Sequence, residues 1–229
     1  MLRRVLRPLN MLLSDKVLTE SKPSPVPVDL ARLVGTWYVI GNFATAFQPP
    51  GSLNARSTFA LVDADARVLS IVDQLYVPTR DAKTYEYRQL TALAMARNDT
   101  NTAFALAGHN FQRDDLSWRG LAIAEVNFLI LDVDAANYSY VVVGDTLGLD
   151  ARIMARDPDG ISPDRVREIM RRITKMHGYN TDRMYATNHL PGLDPFPSAA
   201  DAVSESSRRA ESYSVRVGHE LAEASVEIV

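Results

Sequence analysis

Short runs of β-forming residues, separated by turn signals, recur along most of this chain and constrain its fold more than any other feature. The intervening stretches, such as QPPGS, RNDTN and RDPDG, are rich in residues that favour turns. A series of short strands at this spacing predicts an all-β sandwich or barrel. Eight runs are predicted as strands: 37–47, 57–62, 68–75, 84–95, 102–108, 121–131, 138–143 and 151–156.

One α-helix is predicted after the eighth run. Ser162 is a favourable N-cap, Pro163 suits the first helical position, and Gly178 is a natural residue just past the end. A helix with one apolar face that follows eight strands is expected to pack on the outside of the sheet. The stretch DRMYATN that follows it can form one more strand. The apolar stripe at helical spacing consists of Val166, Ile169, Met170, Ile173 and Met176.

The two ends of the chain differ in composition from the part between them. Residues 1–28 form a basic leader and a Pro-rich linker, and no acidic residue precedes Asp15. An amphipathic, Arg-rich, acid-poor start is typical of a mitochondrial presequence, and an ordinary basic tail is the alternative. Residues 29–190 are expected to form the folded domain, and residues 191–229 an extension that interacts with a partner.

Several function classes find no support in the sequence. A net charge of −3 gives no basic surface for nucleic acid, and the absence of Cys together with scattered histidines gives no metal site. Neither a nucleophile elbow nor a Gly-rich phosphate loop occurs, so no catalytic residue is assigned. No apolar run is long enough to span a bilayer. The chain is therefore expected to be a non-enzymatic protein that is soluble or peripheral to a membrane.

Three stretches in the expected order resemble the lipocalin family, most closely its bacterial-type, apolipoprotein-D-like branch. In GTWYVIGNF, Gly35 and Trp37 match the family's Gly-x-Trp motif, and in ARIMARDP, Arg156 matches the Arg of its third motif. LDVDAANYSYVVVGD stands where the second motif belongs, but Asn137 and Tyr138 replace the usual Thr-Asp-Tyr triplet. The resemblance covers residues 29–188.

The resemblance implies an eight-stranded antiparallel up-and-down β-barrel with a C-terminal helix packed outside. Gly35, Trp37 and Arg156 would then form the barrel floor, where the indole seals one end against water. An Arg on the last strand can lie over the Trp face in a cation–π contact worth about 0.5–2 kcal/mol. We therefore expect Trp37 and Arg156 to stack.

The lining of the barrel is left with two alternatives. Strands four and five carry alanines on alternate positions, 92, 94 and 96 and then 103, 105 and 107. If these positions face inward the cavity is roomy; if they face outward, the larger side chains Leu93, Met95, Phe104 and Leu106 fill it. The candidate ligand contacts are Phe43, Phe47, Leu53, Tyr85, Tyr87, Phe104 and Trp118, the first three in or beside the mouth loop FATAFQPPGSLN.

Two functions are consistent with this sequence. The first is non-catalytic binding of a lipid or other small hydrophobic molecule inside the barrel, in mitochondria, with no cofactor other than a bound lipid. The alternative is a structural accessory subunit of a large mitochondrial membrane complex, with the barrel as scaffold and residues 1–28 and 191–229 as contact segments. Tails of this kind often become ordered only against a partner.

Overall fold

The computed structural model describes residues 22–80, 84–107 and 126–191, together with residues 193, 196, 198–200 and 203–204. Two α-helices are named here, α1 (Leu30–Leu33) and α2 (Pro163–His177), with a short 3-10 turn at Thr181–Arg183. The strands are β1 (Gly35–Phe43), β2 (Leu53–Asp63), β3 (Val68–Pro78), β4 (Tyr85–Ala96), β5 (Ala103–Ala107), β6 (Phe128–Val133), β7 (Tyr140–Gly144), β8 (Ala151–Ala155) and β9 (Met184–Ala186).

The first eight strands close into an antiparallel barrel. Each strand from β1 to β7 pairs with the next, and β8 pairs back onto β1. The short β9 pairs with the end of β1, through Gly41, Asn42 and Phe43, beyond the part of β1 that pairs with β2. The predicted eight-stranded barrel with one main helix outside it is confirmed.

Two apolar clusters follow from the alternation of side chains along the strands. Successive residues of a strand point to opposite faces, so one set fills the barrel and the other faces outward. The inner cluster includes Trp37, Phe59, Leu69, Phe104, Ile130 and Met154. The outer cluster lies between the barrel and α2 and includes Phe43, Leu129, Tyr140, Ile153, Ile169 and Ile173.

Helix α2 begins and ends at the predicted signals. The Ser162 side chain accepts a hydrogen bond from the backbone N–H of Arg165, and Gly178 adopts a left-handed φ of 76°. The expected apolar stripe is wrong at its last member, because Met176 is 55% exposed. The buried residues of α2 are instead Ile169, Ile173 and His177, which are spaced four residues apart.

The chain before β1 crosses the closed end of the barrel. The backbone N–H of Ser24 donates to the carbonyl of Ile130, and that of Val28 donates to the carbonyl of Thr100, both at 2.8 Å. Leu30 and Leu33 of α1 are buried in the inner cluster. The start of β1 is therefore covered by the segment that leads into it. Within the described part of the chain, neither helix has the length and apolarity needed to cross a bilayer.

Candidate functional site

The closed end of the barrel is built around Trp37. Its side chain is fully buried, and its indole N–H donates to the carbonyl of Leu33 at 2.8 Å. The guanidinium carbon of Arg156 lies 3.7 Å from the centre of the Trp37 ring, which is the stacking that the sequence predicts. The indole therefore meets a cation on one face and a backbone acceptor at its edge.

Arg156 also joins this end to the chain that crosses it. Its guanidinium donates to the carbonyls of Arg32, Val34 and Thr36 at 2.7, 2.8 and 3.1 Å. Burial lowers the pKa of Arg156 from its usual value, but an arginine stays protonated in the physiological range. Through these bonds the side chain that directly follows β8 holds α1 and the first residues of β1 in place.

A substitution at Gly35 is expected to disturb this closed end. Gly35 has a φ of +109°, and a Cβ built there would lie 2.9 Å from Nη1 of Arg156. We expect Gly35→Ala to lower the free energy of unfolding by about 1–3 kcal/mol, since a strained backbone conformation and a displaced guanidinium add together. Urea unfolding followed by tryptophan fluorescence measures this change.

Gly41→Ala is the matched control for that substitution. Gly41 lies on the same strand, and the nearest atom to its Cβ would be the carbonyl oxygen of Tyr185 at 3.7 Å, an ordinary contact. We expect this variant to unfold within about 0.5 kcal/mol of the wild type. Equal stabilities for the two variants would show that Gly35 has no special role.

A cavity of about 240 Å³ lies inside the barrel, between the closed end and the open end. Side chains from β2 to β8 reach it, so it belongs to the barrel interior. Its described lining is mostly apolar, and the side chains deepest toward the closed end are those of Phe59, Ile71, Ala92 and Met154.

The register between β4 and β5 decides which of the alternating alanines on these two strands face the barrel interior. Ala94 pairs with Leu106 and Ala96 with Phe104, and residues opposite one another in an antiparallel pair share a face. Ala92, Ala94 and Ala96 therefore point inward together with Phe104 and Leu106. The two alanine sets do not share a face: β4 contributes small side chains to the interior and β5 contributes large ones.

One wall of the cavity is charged. Nη1 of Arg152 donates to Oδ2 of Asp73 at 2.6 Å, and the hydroxyl of Ser57 donates to the other carboxylate oxygen of Asp73 at 2.5 Å. Asp150 lies farther from the guanidinium, with its Oδ2 at 3.7 Å from Nη2. The Arg152 and Asp73 side chains are only 12% and 9% exposed. We call Ser57, Asp73, Asp150 and Arg152 the polar layer.

The polar layer keeps Arg152 charged despite its burial. Burial alone lowers the pKa of the guanidinium, but the attraction of Asp73 and Asp150 and the hydrogen bond to Asp73 outweigh it, so the pKa of Arg152 is raised above its usual value. Paired charges of opposite sign are the form in which ionised groups are tolerated away from water. The layer is therefore a fixed dipolar element in a wall that is mostly apolar.

Sequence reasoning missed the polar layer, although a signal for it exists. Asp73 interrupts the apolar run VLSIVDQLYV at a position in phase with the inward residues Ile71 and Leu75. Arg152 lies two residues before the inward Met154 on β8, so it is on the inward phase as well. A charged residue on an inward phase marks a polar feature of a barrel interior. The residue that pairs with this charge is decided only when the barrel brings the strands together.

Of the candidate ligand contacts at the mouth, none lines the described cavity. Phe43 packs in the outer cluster, because the register between β1 and β8 shifts after Val39 and turns the later odd-numbered residues of β1 outward. Phe47 packs against the inner cluster, and Leu53 is buried where β2 begins. Phe104, a candidate on β5 and not at the mouth, faces the barrel interior. It is fully buried in the inner cluster and does not line the cavity.

The remaining aromatic candidates lie elsewhere. Tyr85 and Tyr87 are 44% and 37% exposed, and the Tyr87 ring contacts Tyr76 and Phe196 on the outside of the sheet. The register between β3 and β4 pairs Tyr87 with the outward Tyr76, so the Tyr87 side chain lies on the outer face of the sheet. Trp118 lies outside the described residues.

Comparison with known proteins places this barrel in a family. A model of the lipocalin-like domain matches residues 28–189, which is most of the chain. The chain belongs to the lipocalin-like family. Proteins of this family are generally non-catalytic and bind small hydrophobic molecules in the barrel. A search of curated proteins found no match to this lipocalin.

Solved structures similar to this lipocalin share little sequence with it. The major allergen Per a 4 from cockroaches is 12% identical, with 74% of this chain and 93% of that one covered and a TM-score of 0.47. Apocrustacyanin C1 is 12% identical, with 82% and 97% covered and a TM-score of 0.44. For H1 crustacyanin from the lobster Homarus americanus the values are 12%, 83%, 99% and 0.44.

Proposed function

We propose that this lipocalin binds a small, largely apolar molecule in the barrel cavity without transforming it. The observation that carries the proposal is the cavity of about 240 Å³, which is enclosed by seven strands and lies above a sealed end. Burial of apolar ligand surface in such a cavity contributes about 25 cal/mol per Å² before the entropic cost of binding. The ligand is expected to be small, since typical ligand sites span roughly 300–1,000 Å³.

A cavity-filling variant of the full chain tests this function. Ala92 lines the cavity and is 3% exposed, so Ala92→Phe places a ring in the space that a ligand needs. With the uncharged fluorophore naphthylamine as the probe, we expect saturable binding to the wild type and a loss of at least about tenfold in affinity for the variant. Fluorescence titration measures both affinities.

Ala186→Phe is the matched control, because Ala186 is exposed on β9 and lies outside the cavity. It should bind naphthylamine like the wild type. Absence of saturable binding to the wild type would overturn the proposed function. So would equal affinities in the Ala92→Phe variant and the wild type.

The alternative function, a structural accessory subunit, is favoured by one observation on the outer surface. Phe196, beyond the family match, stacks on Tyr76 with ring centres 4.8 Å apart, and the guanidinium of Arg56 lies 4.6 Å from its centre. A residue beyond the barrel therefore packs against the outer surface of the barrel wall. Under this alternative, native mass spectrometry of protein from its source finds it in a large assembly, and deletion of residues 198–229 removes it from that assembly.

A mitochondrial location is part of both proposals and is supported by the basic, acid-poor start of the sequence. Fusion of residues 1–28 to a fluorescent protein tests it. Mitochondrial fluorescence is expected, and replacement of Arg3, Arg4 and Arg7 by Gln should abolish it. A cytosolic signal from the unaltered fusion would contradict this location.

A further inference from the structure

On β2, β3 and β8, the residue of the polar layer lies nearer the open end than the next inward apolar residue of the same strand. Along β2, Ser57 lies nearer the open end than Phe59; along β3, Asp73 lies nearer the open end than Ile71. On β8, Arg152 likewise precedes Met154. A ligand in this cavity would therefore place its apolar end toward the closed end and its polar group at the level of Arg152 and Asp73.

Arg152 can still donate hydrogen bonds at that level. Its bond to Asp73 uses one nitrogen, Nη1, and a guanidinium carries N–H donors on all three of its nitrogens. Asp150, at 3.7 Å from Nη2, is beyond hydrogen-bond distance of it. A hydrogen-bond acceptor on a ligand can therefore be met by Arg152 inside the cavity.

The charge of Arg152 is already balanced by carboxylates. Asp73 contacts the guanidinium directly, Asp150 lies beside it, and Asp145 lies in the rim of the same cavity. Among the lining residues that the structure describes, one cation and these three anions give a formal charge of −2. A ligand carboxylate would add a further anion in a poorly solvated site, where like charges repel strongly.

We propose that the cavity takes an uncharged molecule with a hydrogen-bond acceptor at one end, such as an amide, ketone or alcohol, and rejects the corresponding carboxylate. The acceptor binds N–H groups of Arg152, and the apolar remainder lies against Phe59, Ile71 and Met154. This inference rests on the proposed function and narrows its ligand class. Fatty acids in their ionised form are thereby excluded as preferred ligands.

Cinnamamide and cinnamate test the inference, because they have the same carbon frame and nearly the same shape but differ in charge at neutral pH. Calorimetric titration of the full chain is expected to give cinnamamide an affinity at least about tenfold higher than that of cinnamate, the discrimination expected when one like charge must be accommodated. Cinnamate binding as tightly as cinnamamide, or more tightly, would overturn the inference and leave the proposed function standing.

The naphthylamine titration distinguishes a failure of this inference from a failure of the proposed binding function. If naphthylamine binds but neither cinnamoyl compound does, the polar layer recognises no head group and the inference is wrong. If none of the three binds, the proposed function fails together with it.

Asp150→Asn tests whether the net negative charge of the cavity lining causes the rejection of a ligand carboxylate. Asn keeps the shape of the side chain and removes its charge, so we expect the affinity for cinnamate to rise about threefold or more while that for cinnamamide changes little. Asp65→Asn is the matched control, because Asp65 is exposed in the turn between β2 and β3, outside the cavity. It should leave the ratio of the two affinities unchanged. An unchanged ratio in Asp150→Asn would contradict the role assigned to Asp150.

Discussion

Trp37→Ala is expected to lower the free energy of unfolding by about 3–5 kcal/mol, which is the usual range for truncation of a fully buried aromatic side chain. The indole is completely enclosed, and its loss also removes the hydrogen bond to Leu33 and the surface on which Arg156 stacks. Much of the stability of a protein of this size could be lost in one substitution. Urea unfolding followed by circular dichroism measures the change.

Two further variants show whether the effect belongs to the closed end. Trp37→Phe loses the N–H donor and part of the ring volume but keeps an aromatic ring, so it should be clearly less destabilising than Trp37→Ala. Met176→Ala truncates a side chain that is 55% exposed on α2 and should change the stability by less than about 0.5 kcal/mol. A loss below about 1 kcal/mol for Trp37→Ala would mean that the indole does not seal the barrel.

Arg152→Met is expected to be about as damaging, at about 3–5 kcal/mol, because it leaves the carboxylate of Asp73 buried without its cation. The hydrogen bond from Ser57 remains, but it is too weak to replace the ion pair. Addition of Asp73→Leu to this variant should restore most of the lost stability, since an apolar pair of similar volume needs no charge compensation. Chemical unfolding of the two single variants and the double variant measures the coupling between the two sites.

An exposed ion pair in the same protein provides the control. Arg167 and Asp164 form a salt bridge on α2 with side chains that are 64% and 86% exposed. Arg167→Met should therefore change the stability by no more than about 1 kcal/mol. If the double variant were as unstable as the sum of its single variants, Arg152 and Asp73 would act independently.

The barrel itself could be predicted from the sequence with few errors. Alternation of apolar residues and frequent turn signals depend on a few neighbouring residues, so strands could be placed without knowledge of what they pair with. The same holds for α2, whose cap at Ser162 and stop at Gly178 are local features. The stacking of Arg156 on Trp37 could be predicted because both residues belong to motifs that resemble those of a known family.

The cavity was much less predictable, and Phe43 shows why. It was expected to contact a ligand from the mouth loop, but it lies on β1, where the register shift after Val39 turns it toward α2. Tyr87 shows the same limit, because only its pairing with Tyr76 places it outside. A pattern with a period of two residues tells which side chains share a face, but one shift in register exchanges the two faces.

The sequence alone therefore determined the strands, the helix and the residues of the closed end, because each depends on local conformation or on a short motif. Only the tertiary structure decided which alanines face the interior and how large the cavity is. It also brought Arg152 to Asp73, which lies 79 residues earlier in the chain. The physical reason is that strand register and charge pairing are properties of segments that meet only when the barrel closes.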